Sequence, residues 1–167
     1  VTVGQYQRFV DDEGYRDPGW WQAGGFGQVS QPDGWDAQLA YPSRPVVSVN
    51  WYEAAAFCAW AHCRLPTEAE WERAARGSDG RKHPWGDEPI DENRANYGGK
   101  PGHPTPVGIY PLGKSADDIC DMAGNVWEWC AGLREAASRV IRGGSWGRDS
   151  EYCRSAGRRA GGPARRL

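Results

Sequence analysis

The residues best equipped for chemistry in this chain are five cysteines, three histidines and an arginine-crowded tail. Cys58, Cys63, Cys120, Cys130 and Cys153 are odd in number, so at least one is unpaired within the chain. None forms a Cys-x-x-Cys, and His62, His83 and His103 are scattered, which argues against a structural zinc site. The odd count leans towards a reducing compartment, although buried thiols also serve as small hydrophobes. Asp121 and Glu128 stand seven residues apart, a spacing that by itself specifies no metal. From Arg139 to Arg166 eight arginines face only Asp149 and Glu151. They could form an arm for a polyanion or a strand-and-loop surface with local ion pairs. Their dispersal among Gly, Ser and Trp favours the second. A net charge of −2 gives no general case for nucleic acid.

The elements that must position these groups are short. The 167 residues fit one domain, and 23 Gly, 12 Pro and 10 Trp describe many turns braced by large aromatics. Most of the tryptophans read as core staples, and an exposed cluster of them would instead stack a ligand. The mean hydropathy is −0.77. No apolar run approaches the roughly 18 residues of a membrane span, and the 167 residues hold no signal-peptide pattern. Val3, Tyr6, Phe9 and Val10 make a helical stripe that ends by Gly14. The long segment 14–45 is irregular, packed through Trp20, Trp21, Phe26 and Trp35. Two capping boxes predict the main helices. Asn50 with Glu53 opens one from Trp51 to about His62, and Thr67 with Glu70 opens one to about Arg76. Trp85-Gly86-Asp87 reads as a turn, and Val107–Tyr110, Val126–Cys130 and Arg139–Trp146 as strands. Alternation puts Trp127 and Trp129 on one face, with Glu128 on the other. Helices followed by a turn-rich β half describe an α+β domain.

Six segments carry a resemblance that runs nearly the whole chain in order. They are RPVVSVNWYEAAAFCAW (44–60), RLPTEAEWERAARG (64–77), HPWGD (83–87), TPVGIYP (105–111), DMAGNVWEW (121–129) and RVIRGGSW (139–146). Together they resemble the formylglycine-generating-enzyme-like, or sulfatase-modifying factor, family. The resemblance implies a C-type lectin-like fold with two main helices, short strands and much irregular structure. It implies a single domain over 1–167 that lacks the family's outermost terminal strands. Location stays open between the cytoplasm and surface display through a missing segment.

The tail separates the branches of that family. Copper-dependent formylglycine-generating oxidases need two cysteines five positions apart, since a thiolate pair holds soft Cu(I). Cys153 matches the second, but Arg148 occupies the first, and a guanidinium is no copper ligand. No copper is therefore expected, and Cys153 is catalytic only if the chain is such an oxidase. Iron-dependent sulfoxide synthases need a histidine triad, and no His-x-x-x-His-x-Glu exists here. The tail is more similar to the variable proteins of diversity-generating retroelements. Their fixed points match Arg142–Trp146, Cys153–Ala156, Arg158, Pro163 and Arg166. Between them, Gly147, Arg148, Asp149, Tyr152, Gly157, Arg159, Gly161, Gly162 and Arg165 fall at positions that vary in such proteins. Gly, Arg, Asp and Tyr are all reached from an Asn codon by changing its adenines, whereas Glu151 is not when the third base stays a pyrimidine. The resemblance implies a ligand surface of these residues with Trp146 and Glu151, displayed over 147–165, for a protein or other macromolecular partner. The alternatives are the oxidase and a non-catalytic accessory relative. It also implies a structural calcium, held by the carboxylates of Asp121 and Glu128 and the carbonyls of Gly124 and Val126, with a less complete second site at Asn96 and Tyr97.

Overall fold

The computed structural model describes residues 1–135 and 137–167. Three of its four helices open on the same device. Thr2, Asn50 and Thr67 each cap a helix through the side chain and receive a Gln or Glu three residues on, giving α1 (Val3–Asp11), α3 (Trp51–Trp60) and α4 (Glu68–Arg76). The one-turn α2 (Trp35–Gln38) lies within the long segment expected to be irregular. There Trp21 and Trp35 are buried, while Phe26 is 45% exposed and stands edge-on to Trp21.

One antiparallel sheet completes the domain, in the order β1 (Glu128–Glu135), β2 (Ser138–Arg142), β3 (Arg158–Gly161). Opposed residues include Glu128 with Arg142, Trp129 with Ile141, and Ile141 with Arg159. The expected alternation holds. Cys130 and Val140 pack with Trp71, Ala75 and Met122 beneath α4, while Trp129 and Ile141 pack with Trp51 on the other side. A third and largest core joins α1 to α3 through Tyr6, Phe9, Trp35 and Phe57.

The strand expectations need correction. Residues 107–110 form a turn rather than a strand, because Gly108 takes φ +75° and its amide donates to Asp121 rather than to a ladder. β2 stops at Arg142, where Gly143 and Gly144 (φ +92° and +80°) reverse the chain, well short of Trp146. β1 starts later and runs further than the 126–130 stretch suggested. β3 has too little apolar alternation to be visible in sequence.

Candidate functional site

The tail beyond Gly144 is pinned by its backbone and by a few buried side chains. The amide of Trp146 donates to the Asn125 carbonyl, and the Gly98 and Gly99 amides donate to the carbonyls of Arg148 and Trp146 (2.9 and 2.7 Å). Cys153 and Ser155 have no exposed surface. Arg142 is equally buried and binds the Ser155 and Ala156 carbonyls while pairing with Glu68 and Glu72 (3.2 and 2.8 Å). At the far end Arg166 joins Glu53 and Asp33, and the Pro163 carbonyl accepts from the Trp51 amide.

What this frame leaves outward is most of the surface set read from the tail. Gly147, Arg148, Asp149, Glu151, Tyr152, Gly162 and Arg165 are exposed, and Trp146, Gly157 and Arg159 are half-buried. Gly161 is a correction: it is buried in β3, and a Cβ there would lie 2.8 Å from Ile141 Cδ1 and 3.3 Å from Trp129. A side chain at 161 has no room, so this position takes no part in a displayed surface. Gly157 is also confined, its Cβ direction meeting the Arg154 carbonyl oxygen at 2.9 Å.

Two of the outward residues meet a third that sequence reasoning had placed only on a sheet face. Trp127 stands edge-on to Tyr152 (6.1 Å, 74°), and the Arg159 guanidinium lies 5.1 Å from the Tyr152 ring and 5.9 Å from Trp127. An aromatic pair capped by a cation offers stacking, apolar contact and charge in one patch. The signal that could have found Trp127 was its parity with Trp129, which pointed it to the face that β3 joins.

The two copper-branch positions do not make a ligand pair. Arg148 is exposed, while Cys153 is buried with Sγ 3.9 Å from the Asp149 carbonyl, and burial pushes its thiol up to about 12. A thiol so held is a poor nucleophile and a poor metal ligand at neutral pH.

Asp121 and Glu128 are brought together. Asp121 sits in the left-handed region (φ +59°) and accepts the Gly108 amide at 2.7 Å; Glu128 accepts the Trp71 indole N–H at 2.7 Å. Arg142, opposite Glu128 across the strands, turns to Glu68 and Glu72 instead. Among the described residues neither Asp121 nor Glu128 has an ion-pair partner within 4 Å. Burial pushes both carboxyls up, and the Asp121 charge adds to the shift of Glu128. Two such carboxylates with no base beside them suit a hard cation. No three of His, Cys, Asp and Glu converge among the described residues, so backbone carbonyls would have to complete any oxygen shell. Gly124 takes φ +76°, and a Cβ there would overlap the Asn96 carbonyl. Asn96 itself keeps its Oδ1 buried without a partner, while its Nδ2 reaches the His103 carbonyl at 3.0 Å. Such an orphaned oxygen is what a second cation would satisfy. The Tyr97 hydroxyl donates to the Ile90 carbonyl at 3.2 Å, so of that residue only the main chain is available to a metal.

Comparison with known proteins agrees with this architecture. A family described as the sulfatase-modifying factor enzyme 1-like domain matches residues 1–166. A hercynine oxygenase of Mycolicibacterium thermoresistibile is 34% identical over 99% of this chain and 47% of its own length. A formylglycine-generating enzyme of Thermomonospora curvata is 36% identical over 80% of the chain and 55% of that protein. The chain thus spans about half the length of the curated relatives it matches. Among solved structures, Treponema denticola variable protein 1 superposes with a TM-score of 0.68 at 24% identity, covering 100% of this chain and 78% of that one. The fold is the C-type lectin-like fold of formylglycine-generating enzymes.

Proposed function

The chain belongs to the sulfatase-modifying factor enzyme 1-like family, and on that premise we propose that it is a ligand-binding variable protein of a diversity-generating retroelement. One observation carries the reading: the tail's backbone is held by Arg142, Ser155, Arg166 and the 96–99 segment, while Arg148, Asp149, Tyr152 and Arg165 project outward. A surface whose side chains can change without touching the core is what diversification requires. The Trp127–Tyr152–Arg159 patch is its central anchor, suited to a protein or other macromolecular ligand. The deciding observation is genomic. The neighbouring DNA should hold a reverse transcriptase gene and a near-copy of the tail's coding sequence that differs only at adenines. A neighbourhood with neither overturns the reading.

Calcium belongs to the same proposal. Asp121 and Glu128, with the Gly124 and Val126 carbonyls, would hold one ion, and Asn96 and Tyr97 would contribute to a second. The ion would neutralise the carboxylates and brace the turns under the tail. A ligand at 100 times its Kd adds about 2.7 kcal/mol to the folded state. Chelation is therefore expected to lower the melting temperature, and added calcium to restore it. An unchanged curve after verified removal contradicts the site.

A second reading has a specific support, the 34% identity to hercynine oxygenase over 99% of the chain. On that reading the domain is the substrate-holding part of a related oxygenase whose metal-binding histidines lie outside it. Sulfoxide formation by the whole protein with iron and oxygen would establish it. Conversion of a cysteine peptide to its aldehyde with Cu(I) would instead restore the oxidase alternative.

A further inference from the structure

The C-terminal end of α3 places two thiols where a helix terminus brings side chains together. His62 takes the left-handed conformation (φ +54°), its amide donates to the Ala59 carbonyl at 3.2 Å, and the Cys63 amide donates to the Cys58 carbonyl at 2.9 Å. This pair of bonds is the Schellman terminus, in which the third residue from the helix end and the second residue beyond the cap residue Ala61 lie side by side. Here both of those positions are cysteine. Cys58 is half-buried and Cys63 is exposed, and the Cys63 amide to Cys58 carbonyl bond holds the two residues side by side. Burial first, and the Cys63 sulfur second, push the Cys58 thiol up to about 12. The other cysteines are placed differently. Cys130 and Cys153 have no exposed surface, and Cys120 is half-buried after the 111–113 turn and the Lys114–Asp118 loop.

We propose that Cys58 and Cys63 form a thiol–disulfide exchange site, at which a low-molecular-weight disulfide such as oxidised glutathione closes an intrachain bond. The exposed Cys63 thiolate attacks one sulfur of the external disulfide, whose S–S bond breaks and releases one glutathione thiol. The mixed disulfide left on Cys63 is then attacked by the Cys58 sulfur, which gives its proton to solvent as the second glutathione departs. Two protein thiols are oxidised to one disulfide, and one external disulfide is reduced to two thiols. The adjacency set by the helix terminus compensates for the raised pKa of Cys58, because the second attack is intramolecular. A bond closing so short a loop at the surface belongs to the easily reduced, regulatory kind. Closing it ties α3 to the Arg64–Pro66 segment, whose Pro66 carbonyl accepts from the Ala131 amide of β1 at 2.8 Å. Cys63 also lines the groove formed by Trp71, Met122 and Glu128, so the redox state acts on that rim.

The test incubates the whole chain with excess oxidised glutathione, alkylates the remaining thiols and maps the peptides by mass spectrometry without reduction. The expected result is loss of two of the five thiols, a Cys58–Cys63 cross-linked peptide, no retained glutathione, and full reversal by dithiothreitol. Cys58→Ser should retain one glutathione on Cys63, and Cys63→Ser should lose no thiol, with circular dichroism confirming that both variants fold. A wild-type chain that keeps a stable glutathione adduct, loses no thiol, or cross-links any other pair overturns the proposal.

Discussion

The aromatic core under α1 and α3 and the turn-rich region from Asn96 to the tail handle buried polar groups in opposite ways. In the first, the hydroxyls of Tyr6 and Tyr15 meet at 2.9 Å, Tyr15 donates to Glu53 at 2.7 Å, and Arg166 binds the same carboxylate at 3.2 Å. Each member has a partner, and burial pushes both phenols up so that they remain neutral donors. In the second, Asn96 Oδ1 and Ser155 Oγ are buried with no partner, and Asp121 and Glu128 lie near each other without a basic partner among the described residues. The lesson is a division of labour. One region specifies the fold through complete packing, and the other carries unfinished polar chemistry beneath an adaptable surface.

The sharpest way to break that comparison is to remove the residue that fastens the second region to α4. Arg142 bridges α4 to the tail, with its guanidinium also 4.9 Å from the Trp71 ring. Arg142→Ala leaves the Ser155 and Ala156 carbonyls without their donor, while Glu72 keeps Arg76 and Glu68 keeps Arg158, and should cost about 2–4 kcal/mol in denaturant unfolding. A loss under about 1 kcal/mol would show that the tail is held by other means.

A smaller effect separates adjacent glycines. Gly161→Val drives a side chain into Ile141 and Trp129 and should cost about 1–3 kcal/mol. Gly162→Val enters open space and should stay within about 0.5 kcal/mol. Equal costs would mean that the boundary between scaffold and surface is misplaced.

The smallest effect is one of pH. His83 stacks on Trp85 at 5.0 Å and lies beneath Cys153, and burial lowers its pKa from the usual value near 6.5. The unfolded chain therefore binds a proton that the folded chain refuses. Its contribution is complete above about 6.5 and is lost as the pH falls below that value. The melting temperature should fall with acidification over this window, and His83→Asn should flatten the slope. An unchanged slope in the variant contradicts the assignment.

What sequence could show follows the same division. The capping boxes at Asn50 and Thr67 are local and complete, so α3 and α4 were legible to within a residue or two. The faces of Trp129 and Glu128 followed from parity alone. The strand expected at Val107–Tyr110 failed because its apolar residues serve a turn set by Gly108 and Asp121, fourteen positions along the chain counted inclusively. β3 was invisible because Arg158-Arg159-Ala160-Gly161 has no apolar alternation, and its pairing depends on β2. Parity puts Trp127 on the face of Trp129, but Arg159 reaches it only through that same pairing, so no local pattern announces the patch as a whole.

The central claim is that the tail's outward positions can change while the frame does not. Its most direct test is the melting temperature of one variant carrying simultaneous polar substitutions at Gly147, Arg148, Asp149, Tyr152, Gly162 and Arg165. The account predicts a cooperative transition within about 10 °C of the parent, since each of the six exposed changes costs about 0.5 kcal/mol or less. A variant that no longer unfolds cooperatively, or that melts far below the parent, would show that these side chains are part of the frame.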